Sequence, residues 1–204
     1  MQATDGAAEA LLRRNTAHLC IDMQNIFAKE TEWQTPWMPR VLPVVAQIAE
    51  HHPERTIFTR FIPPEVPEQA HGAWRDYFER WRQFTTHAIH PELLELVEPL
   101  QRYVPPAIVI DKPGYTPFRN PALLQTLRDW DVQTLVVTGA ETDVCVLAAV
   151  FSAMEAGFHV VIAQDAICGS ADETHDALMT VYASRFSQQI VLSQTAEIIE
   201  HWRR

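Results

Sequence analysis

The chain has 204 residues, 47% of them hydrophobic and 21% charged, with 16 Lys and Arg against 26 Asp and Glu for a net charge of −10. At about 150 residues per domain this length favours one domain over residues 1–204, with apolar material for a full core, and it excludes disordered and fibrous classes. No more than two Lys or Arg are consecutive, so neither nucleic acid nor an anionic membrane finds the clustered positive charge it needs, and no apolar run reaches the ~20 residues that span a bilayer.

From the N-terminus, MQATDGAAEALLRRN places its arginines after its apolar residues and lacks a long apolar core, so it does not read as a secretory signal. Cys20, Cys145 and Cys168 are odd in number and far apart. The expectation is a reducing, cytoplasmic setting in which a functional cysteine acts as a thiol. Apolar runs predict buried strands over 18–22, 56–61, 107–111, 134–139, 158–164 and 189–192. Helical patterns follow at 38–50, 121–130, 144–156, 172–184 and 195–202. Runs such as AIVI and TLVV are apolar on both faces, as in parallel sheets covered by helices. The alternation predicts an α/β fold: a three-layer α/β/α sandwich, Rossmann-like, with a six-stranded, mostly parallel sheet.

Proline divides the chain. All 14 prolines lie between Pro36 and Pro121, which puts the irregular loops in the first half. FIPPEVPEQAHG cannot be a helix, because residues before proline are pushed out of the α region. Beyond it Trp74, Tyr77, Phe78 and Trp81 recur at i, i+3, i+4 and i+7. This is an amphipathic helix with an aromatic stripe, either a core or dimer face or the wall or lid of a pocket.

Only six glycines are present, none spaced as G-x-G-x-x-G or G-x-x-x-x-G-K-[ST], so the phosphate cradles of dinucleotide-binding and P-loop proteins are missing. In open α/β sheets ligands bind beyond the carboxyl ends of the strands. There stand Asp22 in LCIDMQNIF, Lys112 in AIVIDKPGY and Cys145 in TGAETDVCV. Each alone has a plain structural explanation: an N-cap, a solvated charge, a small core residue. Together they form a nucleophilic set. Thr142 as a helix cap would place Cys145 in the first turn, where the helix dipole and the Lys112 ammonium favour thiolate. Asp22 can carry the thiol proton, and backbone N–H groups at the turn can hold an oxyanion.

With IDMQNIF, KPGYTPF, TGAETDVCVLAAVFSAMEAGFHVVIAQDA and His175, the chain resembles the isochorismatase-like cysteine hydrolases over about residues 17–192. The resemblance implies that Asp22, Lys112 and Cys145 are the catalytic triad. It also implies a cis peptide at Ala140–Glu141 that aims the N–H of Glu141, beside that of Cys145, at the oxyanion. Nicotinamidases of this family carry an Asp-x-His metal cluster after the second strand. Here that stretch is Thr59-Arg60-Phe61-Ile62-Pro63-Pro64, and His71, His87 and His90 have no matching carboxylate spacing. The expectation is therefore an amidase-type member with no metal and no cofactor. Ser152 stands where many members have an acid and reads as a packing difference.

Phe27, Trp33, Trp37, Tyr115 and Phe118 are expected to line the substrate pocket, from their closeness to the triad loops. Arg60 and Arg119 lie near strand ends without an assignable role. His51-His52 reads as a solvated helix end, Cys20 as core, Cys168 as a spacer or core residue, and Asp165 as a cap or loop brace. The leading function is a thiol hydrolase for a C–N bond of a small amide, carbamoyl or ureido compound. The alternatives are vinyl-ether hydrolysis using Asp22 without the thiol, and a non-catalytic binding or redox-sensing protein. The family resemblance also implies a homo-oligomer, dimer or tetramer, to which the aromatic helix can contribute the interface.

Overall fold

This computed structural model describes residues 5–203. Its centre is a six-stranded sheet in the order β3-β2-β1-β4-β5-β6. The strands are β1 (Thr16–Ile21), β2 (Thr56–Phe61), β3 (Ile108–Lys112), β4 (Thr134–Ala140), β5 (His159–Cys168) and β6 (Ile190–Ser193). All neighbours run parallel, so the α/β sandwich expected from the sequence is the fold adopted.

Helices cover both faces, and the two-residue period of the strands sorts side chains between them. Cys20 faces a core shared with α1 (Asp5–Leu12), α3 (Met38–His51) and α9 (Thr195–His201), where Leu12, Val45 and Ile198 are buried. Leu19 and Ile21 face the other core, with α6 (Pro121–Asp129), α7 (Leu147–Glu155) and α8 (Asp172–Arg185), where Leu127, Val150 and Tyr182 are buried. Helix α1 lies where the sequence reading gives no element. Its signal is the i, i+3, i+4 spacing of the buried Ala8, Leu11 and Leu12.

Strand β5 ends at Cys168 rather than near residue 164. The polar pair Gln164-Asp165 reads as a strand end, but it falls in a register shift, after which Gly139 pairs with Ile167 and Ala140 with Cys168. Asp165 Oδ1 accepts from the N–H and hydroxyl of Thr195 at 2.9 Å each, bracing the start of α9. His51 and His52 are not solvated. His52 is 5% exposed, and both rings pack on Trp202, where the returning C-terminus covers them.

The chain lays down β1 to β3 in one direction and then crosses to β4, β5 and β6 in the other. The switch point between β1 and β4 is where a doubly wound sheet opens a crevice. Gly139 makes that junction tight. Its φ is +105°, and a Cβ there would lie 2.0 Å from the Ile21 carbonyl oxygen, so no other residue fits. Among the described residues no helix is long and apolar enough to cross a membrane.

Candidate active site

Three loops bring their polar residues to this rim. Asp22 follows β1 directly with φ of 47°, and its backbone N–H donates to Thr59 Oγ1 at 3.2 Å. Thr59 returns a hydrogen bond from its hydroxyl to Asp22 Oδ1 at 2.6 Å. Gln24 clamps the same turn to β2, its Nε2 donating to Phe61 O and its Oε1 accepting from Phe61 N. Lys112, the last residue of β3, lies two strands from β1. Its long side chain crosses the end of β2 to put Nζ 2.7 Å from Asp22 Oδ2 and 3.4 Å from Cys145 Sγ. A third contact, to Gly114 O at 2.9 Å, completes the ammonium's surroundings. Asp22, Lys112 and Cys145 therefore meet in one buried cluster.

Cys145 lies on a single π-type turn, a widened first turn over Thr142–Val146 that leads into α7. The Ala140–Glu141 peptide ahead of it is cis. Thr142 does not cap this turn. Glu141 holds the cap position with no side-chain cap bond, because the side chains of the turn are drawn towards α8 instead. Thr142 Oγ1 meets His175 Nδ1 at 2.8 Å, Thr174 donates to Asp143 Oδ2 at 2.6 Å, and Ser170 N–H donates to Glu141 Oε2 at 3.0 Å. These bonds fix the loop that presents the thiol, a bracing role for Asp143, Ser170 and Thr174 that the sequence does not announce.

The electrostatics correct one expectation. Burial pushes the Cys145 thiol up; the Lys112 ammonium pulls it down, and Asp22 opposes that pull. The net direction is upward, so the resting sulfur is a thiol rather than a thiolate. The reason is that Lys112 arrives already paired: an ammonium and a carboxylate side by side present little net charge to the sulfur. Lys112 itself is raised: burial lowers it, but the charges of Asp22 and Cys145 outweigh burial. The cluster thus rests as the Asp22–Lys112 ion pair beside a neutral thiol.

Cys145 opens on a cavity of about 370 Å³, within the size range of small-molecule sites. Phe27, Trp33 and Tyr115 line it as expected. Trp37 does not. It lies at the start of α3 under Arg40, whose guanidinium sits 4.5 Å from the ring centroid, and lines a different cavity with Cys168. Phe118 is also absent from this wall. Thr116 accepts from the Phe118 N–H and donates to Ser152 Oγ on α7 at 2.8 Å, turning the chain so that Phe118 packs on Phe158 in the second core. The aromatic stripe divides between the two readings: on helix α4 (Ala73–Arg80) Phe78 is buried in the first core with Trp74 packed against it, while Tyr77 and the following Trp81 line the cavity. Trp33 joins them to the rest, with ring centroids 5.9 Å from Tyr77, 5.8 Å from Trp81 and 4.1 Å from Phe84.

The stretch after β2 does not fit a metal. Phe61 is part of the aromatic wall, Ile62, Pro63 and Pro64 carry no side-chain donor, and Arg60 is engaged by Asp111 and Glu95. Among the described residues no group of three or more His, Cys, Asp or Glu is placed to hold a metal ion.

The Isochorismatase domain family matches residues 16–194, the whole sheet and every loop of the cluster. The chain belongs to this family. It is 28% identical over 171 residues to the "Probable inactive nicotinamidase" of Arabidopsis thaliana, covering 80% of this chain and 86% of that protein. Its fold is similar to a cysteine hydrolase from Pseudomonas syringae pv. phaseolicola, with a TM-score of 0.76 and 23% identity over 92% of each chain. It is similar also to N-carbamoylsarcosine amidase from Thermoplasma acidophilum, with a TM-score of 0.70 and 17% identity over 88% of this chain and 96% of that one.

Proposed function

We propose that this member of the isochorismatase family is a cysteine-dependent hydrolase that cleaves a C–N bond of a small amide, carbamoyl or ureido substrate through a thioester. The observation that carries the reading is the contact of Lys112 Nζ with both Asp22 and Cys145 Sγ, at the one edge of the buried cluster that opens on a cavity.

In this reading the neutral thiol fixes the proton's path. Asp22 accepts the Cys145 proton as sulfur attacks the carbonyl carbon, and the backbone N–H groups of Glu141 and Cys145 receive the oxyanion. As the tetrahedral intermediate collapses, the C–N bond breaks and Asp22 returns the proton to the departing nitrogen. Water then attacks the thioester, giving its proton to Asp22. The C–S bond breaks, the acid departs and the sulfur regains its proton. Lys112 holds the carboxylate in place and offsets the negative charge that builds on sulfur. No metal takes part.

A vinyl-ether hydrolysis would use Asp22 alone, and a binding protein would use none of the three residues. A panel of amides and ureides, read by ammonia release, separates them. Cys145→Ala should lower turnover by about 10³-fold or more, and Asp22→Asn comparably. An active Cys145→Ala protein with an inactive Asp22→Asn protein leaves the acid-only chemistry standing. Turnover by neither the parent protein nor its variants favours the binding reading.

A further inference from the structure

The cavity that receives Cys145 is one-sided in charge. Glu32 and Glu141 both line it, and among the described residues no Arg, Lys or His does. The nearby cations are committed elsewhere: Lys112 to Asp22 and Cys145, Arg60 to Asp111 and Glu95, and Arg80 to the ring of Trp81, 5.4 Å from its centroid. Glu32 has no hydrogen bond or ion pair among the described residues, and the Glu141 carboxylate is hydrogen-bonded by the neutral Ser170 rather than by a cation. Burial raises the Glu141 carboxyl, as happens to a carboxylate short of positive partners. The rest of the wall is aromatic, with Trp33, Tyr77, Trp81 and Tyr115 around the same space. Aromatic faces carry partial negative charge and attract cations. The net charge of −10 adds a long-range pull of the same sign.

We propose that the substrate carries a positive charge, an ammonium or alkylated ammonium held between this aromatic wall and the two glutamates, beside the carbonyl that Cys145 attacks. The proposal rests on the hydrolase reading above. It excludes substrates whose recognition needs a carboxylate: an N-carbamoyl amino acid would set its anion against Glu32 and Glu141 with no cationic side chain to meet it. The glutamates serve recognition only; the charge on the substrate neither forms nor breaks a bond.

The test uses two amides of the same shape that differ by one atom. Trimethylammonioacetamide has a quaternary nitrogen where 3,3-dimethylbutanamide has a quaternary carbon. N-carbamoylsarcosine is the anionic arm. Calorimetry on the Cys145→Ala protein reads binding without turnover, and ammonia release by the parent protein reads chemistry. The cation should bind about 10-fold or more tightly than its neutral twin, with N-carbamoylsarcosine weakest. Glu32→Gln should reduce that preference severalfold, raising KM with kcat little changed. Equal or weaker binding of the cation, no binding of either twin, or tightest binding of N-carbamoylsarcosine would overturn the proposal. The two readings fail separately. A cation preference in binding with no ammonia released from any compound sinks the hydrolase and leaves the charge selectivity. Ammonia release with a neutral or anionic preference does the reverse.

Discussion

Two buried polar residues, one within the central strand and one just past its end, lie four positions apart and end in opposite circumstances. His18 is fully buried in the middle of the sheet. Its ring bridges Thr56 Oγ1 on β2 at 3.2 Å and Thr138 Oγ1 on β4 at 2.8 Å, and burial lowers it to about 3. Asp22 is just as buried, but its carboxylate is charged, paired with an ammonium and placed beside a thiol that faces a cavity. Hydroxyls, which donate or accept as required, satisfy a neutral imidazole completely and leave it nothing to do. The Asp22 cluster stays charged and keeps one side open. Burial alone does not mark a functional group; burial with charge and an open face does.

The largest effect should come from removing one half of the charged pair. Lys112→Met leaves a carboxylate buried without its partner, which costs about 3–5 kcal/mol of stability. Urea unfolding checks this, and an unchanged midpoint would mean that Asp22 is not held as an ion in the fold.

Thr59→Val is the next step down. It removes the hydroxyl between Asp22 N–H and Oδ1 without touching Lys112 or Cys145, at about 1.5–3 kcal/mol for a bond to a charged group. Thr59 is a positioning residue, so kcat should fall with KM nearly constant, and Thr59→Ser should restore both. A change in KM alone would show that Thr59 shapes the pocket instead.

His18 sharpens the other side of the comparison. Its ordinary value is 6.5 and the folded value about 3. Above pH 6.5 the ring is neutral folded and unfolded and contributes no pH dependence. Between 6.5 and about 3 only the unfolded chain binds the proton, so stability falls as pH falls, by about 1.4 kcal/mol per pH unit. Unfolding midpoints of the parent and His18→Gln proteins across that window should differ in slope by about one proton. The smallest expected effect is none: exhaustive chelation should leave turnover intact, because Phe61, Ile62 and Pro63 offer no ligand. Loss on chelation with recovery on adding zinc would contradict that.

The sequence makes the sheet and its cluster legible for a physical reason. Buried strands are near-continuous apolar runs, and the polar residues at their ends stand out, as Asp22 and Lys112 do, with Cys145 on the turn that follows the next strand. The pocket is less legible because its walls come from packing across the chain. Trp37 and Phe118 are near the triad in sequence yet turn away with α3 and with the Thr116–Ser152 bond. Tyr77 and Trp81 are distant in sequence yet reach the cavity through Trp33. The thiol's state is hidden for the same reason: a lone lysine would lower it, and only the fold reveals that Asp22 has already claimed the ammonium.

Acylation by 4-nitrophenyl acetate tests most directly whether Cys145 is the nucleophile. An activated ester forms the thioester faster than water removes it, so the parent protein should release a stoichiometric burst of nitrophenolate and carry the acetyl group on the peptide containing Cys145. Cys145→Ala should show neither. A burst that persists in Cys145→Ala, an acetyl group on Cys20 or Cys168, or no acetylation of Cys145 would contradict the account.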